Sequence, residues 1–474
     1  MRPPAFPPHL FFPESELAFD PDWESKTAIH PLGGLTQHGP YSTGFAPDPI
    51  RIATIAPGKD AKRLYTFMRE LRATHWPRER RDYLLKWPGF GEVFRVQMRA
   101  AGEPCHIELD ERLDERIQND PDPRMILADG LRRAIDRLCA HRADFEVIFI
   151  YLPQRWRAGF HGTPTEDFDL HDHLKAAAAM RGVAIQLIRE DRALAYPCRA
   201  SVAWRVGLAM YVKAGGIPWK LGDRNEDTAF IGISYALRSD DGEAARFVTC
   251  CSQVFDAGGA GLEFVAYDAQ DFNVQRSNPF LARSEMFRVM SRSLDLYRRR
   301  HGGRNPRRVT VHKTTEFKGE EIEGAFEALH LCDEVDLVQV VEDVGWRGIR
   351  VGGRNPRTSV AQPTPYPVHR GTLVNLGLYD SLLWTHGDVD GISRGSYFQG
   401  ARGTPHPIRL IRHAGHGTWD HVAQTTLALT KMNWNNDALY DHLPVTMTFA
   451  KVLSRVVKRM PGLGKRPYQF RFFM

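Results

Sequence analysis

Cysteine is scarce in this chain. The six present, Cys105, Cys139, Cys198, Cys250, Cys251 and Cys332, include no C-x-x-C pair that would hold zinc or run thiol exchange, which leaves them as small core residues or bystanders. Long apolar runs are missing too: no stretch approaches the roughly 18 uninterrupted apolar residues of a membrane span. The opening residues, broken by Pro3, Pro4, Pro7 and Pro8, lack the apolar core of a signal peptide. These absences predict a cytoplasmic protein with no membrane partner. A strong overall charge is lacking as well, since 63 Lys and Arg against 57 Asp and Glu leave +6, an excess that matters only where it is concentrated. What is present is ordinary globular composition, 42% hydrophobic and 25% charged, in a 474-residue chain long enough for roughly two to four domains.

Residues 1–45 are rich in Pro, Gly, His and Thr and read as an irregular lead-in segment. From about residue 50 the texture becomes α/β. A helical pattern over Leu131–Arg142 precedes the β-forming run Val147–Leu152. A second helix over Leu170–Met180, stopped by Gly182, precedes the strand Val183–Ile188, and a third helix covers Ser201–Ala214. Strand, helix, strand predicts a parallel βαβ unit. After the polar break at 222–227 come grouped strands, Ala229–Tyr235, Arg246–Val254 and Leu262–Tyr267. Then follow a helix over Pro279–Arg300, a strand Arg308–His312, a helix over 320–330 and a strand Val335–Val341. Further strands are predicted at Thr372–Leu376 and Ile408–Ile411, with closing helices near 418–431 and 445–460. Grouped strands followed by alternation is the order of a ribonuclease-H-like mixed sheet.

Two constellations carry chemistry. From Lys451 to Met474 there are seven basic residues and no acid. Lys451, Arg455, Lys458 and Arg459 recur at helical spacing opposite the apolar Phe449, Val452, Leu453, Val456, Val457 and Met460, so one face is core and the other cationic. That face is either plainly solvated or a groove for a phosphate backbone. The second constellation lies on the βαβ unit: His171 and Lys175 four apart on one helix, Gln186 on the next strand and Lys213 at the end of the following helix. These are either unrelated surface residues or donors converging on a terminal phosphate. His171 and His173 also form an H-x-H, a weak metal signal by itself.

The run Gly403-Thr404-Pro405-His406-Pro407-Ile408-Arg409-Leu410, then Leu427–Asn435 and Leu443–Ala450, resembles the end of the PIWI domain of Argonaute proteins. Tyr211-Val212-Lys213-Ala214-Gly215-Gly216-Ile217-Pro218-Trp219 resembles the junction between their MID and PIWI domains. The resemblance covers about residues 130–474 and is to short prokaryotic Argonautes, built of MID and PIWI alone. It implies an irregular segment 1–45, a Rossmann-like MID domain with a parallel sheet over 46–220 and a ribonuclease-H-like PIWI domain with a mixed sheet over 221–474. It also assigns His171, Lys175, Gln186 and Lys213 to the pocket for a guide's 5′-phosphate, with His171 stacking on the first base. A structural Mg²⁺ would be held by Gln186, the guide phosphate and the C-terminal carboxylate at Met474. Where some eukaryotic pockets of the family have a second lysine, four residues before Lys213, this chain has Ala209.

Slicing by PIWI domains needs carboxylates that seat two metals. The resemblance puts Ser234, Lys313 and Arg409 at those positions, which implies a domain that binds a guide–target duplex without cutting it. His312 and Lys313 would then either contact the nucleic-acid backbone or serve in a salt-bridged structural role. The implied activity is that of a recognition subunit in prokaryotic immunity. A small guide RNA pairs with single-stranded invader DNA, and this switches on a heterodimeric partner that joins an APAZ region to an NAD-hydrolysing sirtuin-like or TIR effector, with a possible higher oligomer on activation. The competing classes are a nuclease using acids such as Asp240, Asp241, Glu263 or Asp268, and a dinucleotide-binding enzyme. Against the latter, the turn Pro153–Gly162 lacks G-x-G-x-x-G and the glycines at 258–261 do not stand between a strand and a helix.

Overall fold

The computed structural model describes residues 9–22, 25–162, 168–222, 227–238, 246–254, 263–275, 278–364, 367–389, 392, 403–460 and 468–474. Along 236–238, 246–254, 263–265 and 267–268 it describes the backbone.

A five-stranded sheet organises the first lobe, and every pairing in it is parallel. Ile50–Pro57 is flanked on one side by Met98–Ala100 and His106–Leu109 in succession and on the other by Val147–Leu152, with Ala184–Arg189 beyond. Val147–Leu152 is buried at each residue because helices cover both faces. Val147, Phe149 and Tyr151 pack toward the Ala61–Arg72 and Arg199–Lys213 helices, while Ile148, Ile150 and Leu152 pack toward Arg124–Cys139 and Leu170–Arg181. Asp169 caps the Leu170–Arg181 helix by accepting from the Asp172 N–H, and Gly182 closes it at φ 64°, a left-handed value glycine adopts without strain.

The second lobe carries a ten-stranded mixed sheet. Thr228–Arg238, Arg246–Val254 and Glu263–Asp268 form an antiparallel meander. Arg308–Lys313 then lies parallel to the first of these on its other side, followed by Glu334–Val341, parallel, and Ile408–Gly415, antiparallel. This is the ribonuclease-H-like order expected from the sequence. One face packs on the Arg283–Arg300 and Gly319–Ala328 helices through Ile231, Ile233, Val309, Val311 and Leu337. The opposite face meets the Trp419–Leu429 and Val445–Val457 helices. Gly232 permits that second approach, because a Cβ there would collide with the Thr446 carbonyl.

Two expectations are corrected. Pro279–Arg300 is not one helix: Asn278–Leu281 pairs with Phe272–Gln275 as a hairpin, and the helix begins at Arg283 after its Ala282 cap. Pro279 opens a run of β-formers whose hairpin partner outcompetes helical continuation. The segment 1–45 is also more than a lead-in. His9–Phe11 forms one edge of the ten-stranded sheet against Thr372–Val374, Leu17–Ala18 pairs with both Thr27–Ala28 and the junction strand Lys220–Leu221, and Pro31–His38 is helical. Glu14, just after the edge strand, is held by Arg370 at 2.8 Å and Lys431 at 3.2 Å in the second lobe, while the His30 ring bonds to the Tyr83 carbonyl at 2.7 Å in the first, so the segment touches both lobes.

At the other end of the chain Tyr468–Gln469 adds to the opposite edge of that sheet, and Phe470 stacks on Phe449. The last residues then enter the first lobe, where Phe473 and Met474 are buried. Burying two such side chains is worth about 1.5–3 kcal/mol each.

Candidate functional site

The Leu170–Arg181 and Arg199–Lys213 helices, the Ala184–Arg189 strand and the inserted Phe470–Met474 segment meet at one place. A cavity of about 390 Å³ opens there, lined among others by His161, Asp169, His171, Asp172, Gln186 and Arg455. Lys175 and Lys213 do not line it; they are buried behind its wall, 4% and 3% exposed, Lys213 against the lining Gln186. The Lys175 ammonium donates to the Phe473 carbonyl at 2.9 Å and the Lys213 ammonium donates to Gln186 Oε1 at 2.5 Å. The structure therefore brings His171, Lys175, Gln186 and Lys213 together from three elements, as helical spacing and the turn of the parallel βαβ unit require. Ala209 also faces the cavity.

Burial disfavours charge on both lysines. Burial pulls the Lys175 ammonium down to about 7 and holds Lys213 far below the ordinary lysine range, with the Lys175 charge adding to the effect on Lys213. His171 stands 47% exposed in the cavity mouth with Nδ1 3.2 Å from Asp172. Desolvation by the groups around it, then the Lys175 charge, lower its pKa against the opposing pull of Asp172, which favours the neutral ring at pH 7. An anion seated on the two ammonium groups raises their pKa values, so its binding takes up protons above about pH 7. Affinity for a 5′-phosphorylated oligonucleotide is expected to fall about tenfold or more from pH 7 to pH 9, while its 5′-hydroxyl twin shows no comparable fall. Fluorescence anisotropy across that range checks this.

Sequence reasoning missed Asp169 and Asp172 here. Asp169 was legible as a helix cap, but Asp172, 5% exposed, is tied by its second oxygen to Arg455 at 3.8 Å from the far end of the chain. Only the fold makes them neighbours. His173 stands apart, beside the Phe168 ring.

The cationic helix face divides. Arg455 points into the cavity mouth, 60% exposed, whereas Lys451 is paired with Glu342 at 2.6 Å. Arg459 donates to the Arg455 carbonyl, and Lys458 and Arg459 are half-buried. Lys465 and Arg466 lie outside the described residues.

Ser234, Lys313 and Arg409 do not converge on one spot, which corrects their reading as three corners of a single degenerate centre. Ser234 faces the Val445–Val457 helix and donates to the Ala450 carbonyl at 2.6 Å. Lys313 registers with Ile233 on the neighbouring strand, so it projects from the opposite face, where its ammonium pairs with Glu321 at 2.5 and 2.6 Å. Arg409 is ion-paired with Asp380 at 2.5 Å. His312 and Lys313 are both fully buried, His312 against Thr446, so contact with a nucleic-acid backbone is closed to them and a structural role is what the geometry gives. Asp240, Asp241 and the glycines at 258–261 lie outside the described residues, as do the side chains of Glu263 and Asp268.

The donors near Lys175 and Lys213 fit an anion better than a bare cation. The Phe473 carbonyl and Gln186 Oε1 are suitable oxygen ligands for Mg²⁺, yet each already accepts from an ammonium group, so the residues fit Mg²⁺ only together with a phosphate. Bound there, Mg²⁺ would add positive charge against the phosphate oxygens. Among the described residues, Asp169, His171 and Asp172 bring ligand atoms within 4.8 Å of one another.

The two lobes and their junction give the chain an Argonaute-like fold. A solved structure of Clostridium butyricum Argonaute, bound to a guide DNA with a 5′ deoxycytidine and a 19-mer target DNA, superposes with a TM-score of 0.63 at 15% sequence identity, covering 97% of this chain and 54% of that one. This chain thus spans about half the length of that Argonaute. No protein-family model matches the sequence, and no curated protein matches it. Among the described residues, no helix is long and apolar enough to cross a membrane.

Proposed function

We propose that this protein is a guide-binding, target-sensing subunit that holds the 5′-phosphate of a small nucleic acid in the cavity between its lobes and pairs it with a complementary strand without cutting. The observation that carries this reading is the convergence of Lys175, Lys213, Gln186 and His171 behind and around one cavity. The Argonaute neighbour, bound to guide and target DNA, supports it by fold. The finer reading takes the guide as RNA, the target as invader single-stranded DNA and the partner as an APAZ-linked, NAD-hydrolysing effector. Duplex formation shifts the complex toward the arrangement that turns this partner on.

The non-slicing part rests on the sequence resemblance alone, which finds Ser234, Lys313 and Arg409 where a slicing domain has carboxylates. With a loaded guide, a matched target and Mg²⁺ or Mn²⁺, the target is expected to stay intact while a gel-shift assay shows it bound. Guide-dependent product with a defined end would overturn the non-slicing part. Sequencing of co-purified nucleic acid tests the RNA assignment.

A further inference from the structure

From Val344 to Tyr379 the chain contains no Asp or Glu and five arginines. Within that run Val351–Arg354 pairs with Ala361–Pro363 as a two-stranded hairpin separate from both sheets, anchored at its base by Arg350 to Asp388 at 3.0 Å and by the Thr364 N–H to the Arg350 carbonyl. The hairpin and its entry present apolar surface to solvent: Trp346 is 50% exposed, Ile349 69% and Val360 59%. Arg347 and Arg357 are exposed beside them, and the Arg347 guanidinium is turned to the Val344 and Trp346 carbonyls. Exposed aromatic and aliphatic groups among cations, with no acid in the segment, match a polyanion with apolar faces, which is the chemistry of a nucleic-acid strand.

The placement agrees. The segment leaves the sheet at the end of Glu334–Val341, where Glu342 grips Lys451. Lys451 sits one helical turn, about 6 Å, from Arg455 at the cavity mouth. A strand whose end is seated over Lys175 and Lys213 and which runs along this helix arrives at the root of the hairpin.

We infer that the 345–363 hairpin is a second nucleic-acid contact, engaging the strand that continues from the cavity, with Trp346 stacking on a base and Arg347 and Arg357 meeting phosphates. The inference rests on the proposed function, since it needs the strand's end in the cavity, and it adds a contact that a very short strand cannot reach. The test compares a 5′-phosphorylated trinucleotide with a 5′-phosphorylated strand of about 20 nucleotides, binding to the full chain and to the variants Trp346→Ala and Arg347→Ala/Arg357→Ala. Both variants should bind the trinucleotide as the unchanged protein does. The longer strand should bind about tenfold more weakly to each, and the double arginine variant should lower the slope of log K against log salt by about 1.4. Unchanged affinity for the longer strand overturns the hairpin contact, and so does an equal loss for both lengths, which would mark a folding effect. A Lys175→Met variant that binds both lengths normally would instead overturn the cavity reading.

Discussion

Replacing Lys175 or Lys213 by methionine is expected to weaken binding of a 5′-phosphorylated guide by roughly 10- to 100-fold each, the equivalent of losing one charged hydrogen bond of about 1.5–3 kcal/mol. Methionine keeps most of the volume and removes only the ammonium, so the packing behind the cavity persists. A 5′-hydroxyl oligonucleotide should bind variant and unchanged protein within a few-fold of each other. The fold should survive, because each lysine is a buried charge whose ammonium form burial opposes. Equilibrium binding with the two oligonucleotides, alongside a thermal melt, reads both effects. Loss of affinity for phosphorylated and unphosphorylated strands alike would point to collapse of the lobe interface.

The largest effect on stability is expected at Lys313. It is fully buried with Glu321, and the Glu321 carboxylate also accepts from the Lys318 N–H at 3.0 Å, the Tyr235 hydroxyl at 3.1 Å and the Leu281 N–H at 3.2 Å. The Lys313 ammonium lies about 5 Å from the rings of Phe280 and Phe317, so the pair is enclosed by aromatic faces as well. Lys313→Ala leaves an uncompensated buried carboxylate and should destabilise the protein by about 3–5 kcal/mol. Lys313→Met with Glu321→Gln should recover part of that loss, since the buried charge is gone and the amide oxygen in the Oε1 position still accepts from the Leu281 N–H and the Tyr235 hydroxyl, while the Lys318 N–H, bonded to Oε2, loses its acceptor. Chemical denaturation of the three proteins measures this, and a Lys313→Ala protein as stable as the unchanged one would contradict the packing described. The consequence for function is that a cation at this sequence position maintains the sheet and is not available to a ligand.

How far the fold was legible depended on local signals. Val147–Leu152 appears with the bounds its run predicts, because it is a continuous stretch of apolar β-formers ended by Pro153, and Arg246–Val254, of mixed composition, also appears with its predicted bounds. The helix bearing His171 and Lys175 was legible from its Gly182 stop, and the one bearing Lys213 from the glycines at 215 and 216. Asn278–Leu281 was misassigned because four residues joined to a strongly helical run give no period of their own. The strands at 9–11 and 17–18 were invisible for a different reason: the first depends on a partner at 372–374, and the second is only two residues long, held between 27–28 and 220–221.

The site divides along the same line. Spacing within an element put His171 above Lys175, but the insertion of Phe473 beside Lys175 and the tie from Asp172 to Arg455 are purely tertiary. The positions Ser234 and Lys313 were compared by sequence motif, which is blind to strand register. The parallel pairing of Ile233 with Lys313 then sends the two side chains to opposite faces. The 345–363 hairpin had a signal that reading by motif passed over, the long stretch without a carboxylate.

The most direct measurement is a competition between two oligonucleotides identical in sequence and length, one ending in a 5′-phosphate and the other in a 5′-hydroxyl, for the full chain at pH 7. Two ammonium groups behind the cavity wall predict a preference of at least about tenfold for the phosphate. Equal affinities would show that the charge behind the cavity serves something other than the end of a guide.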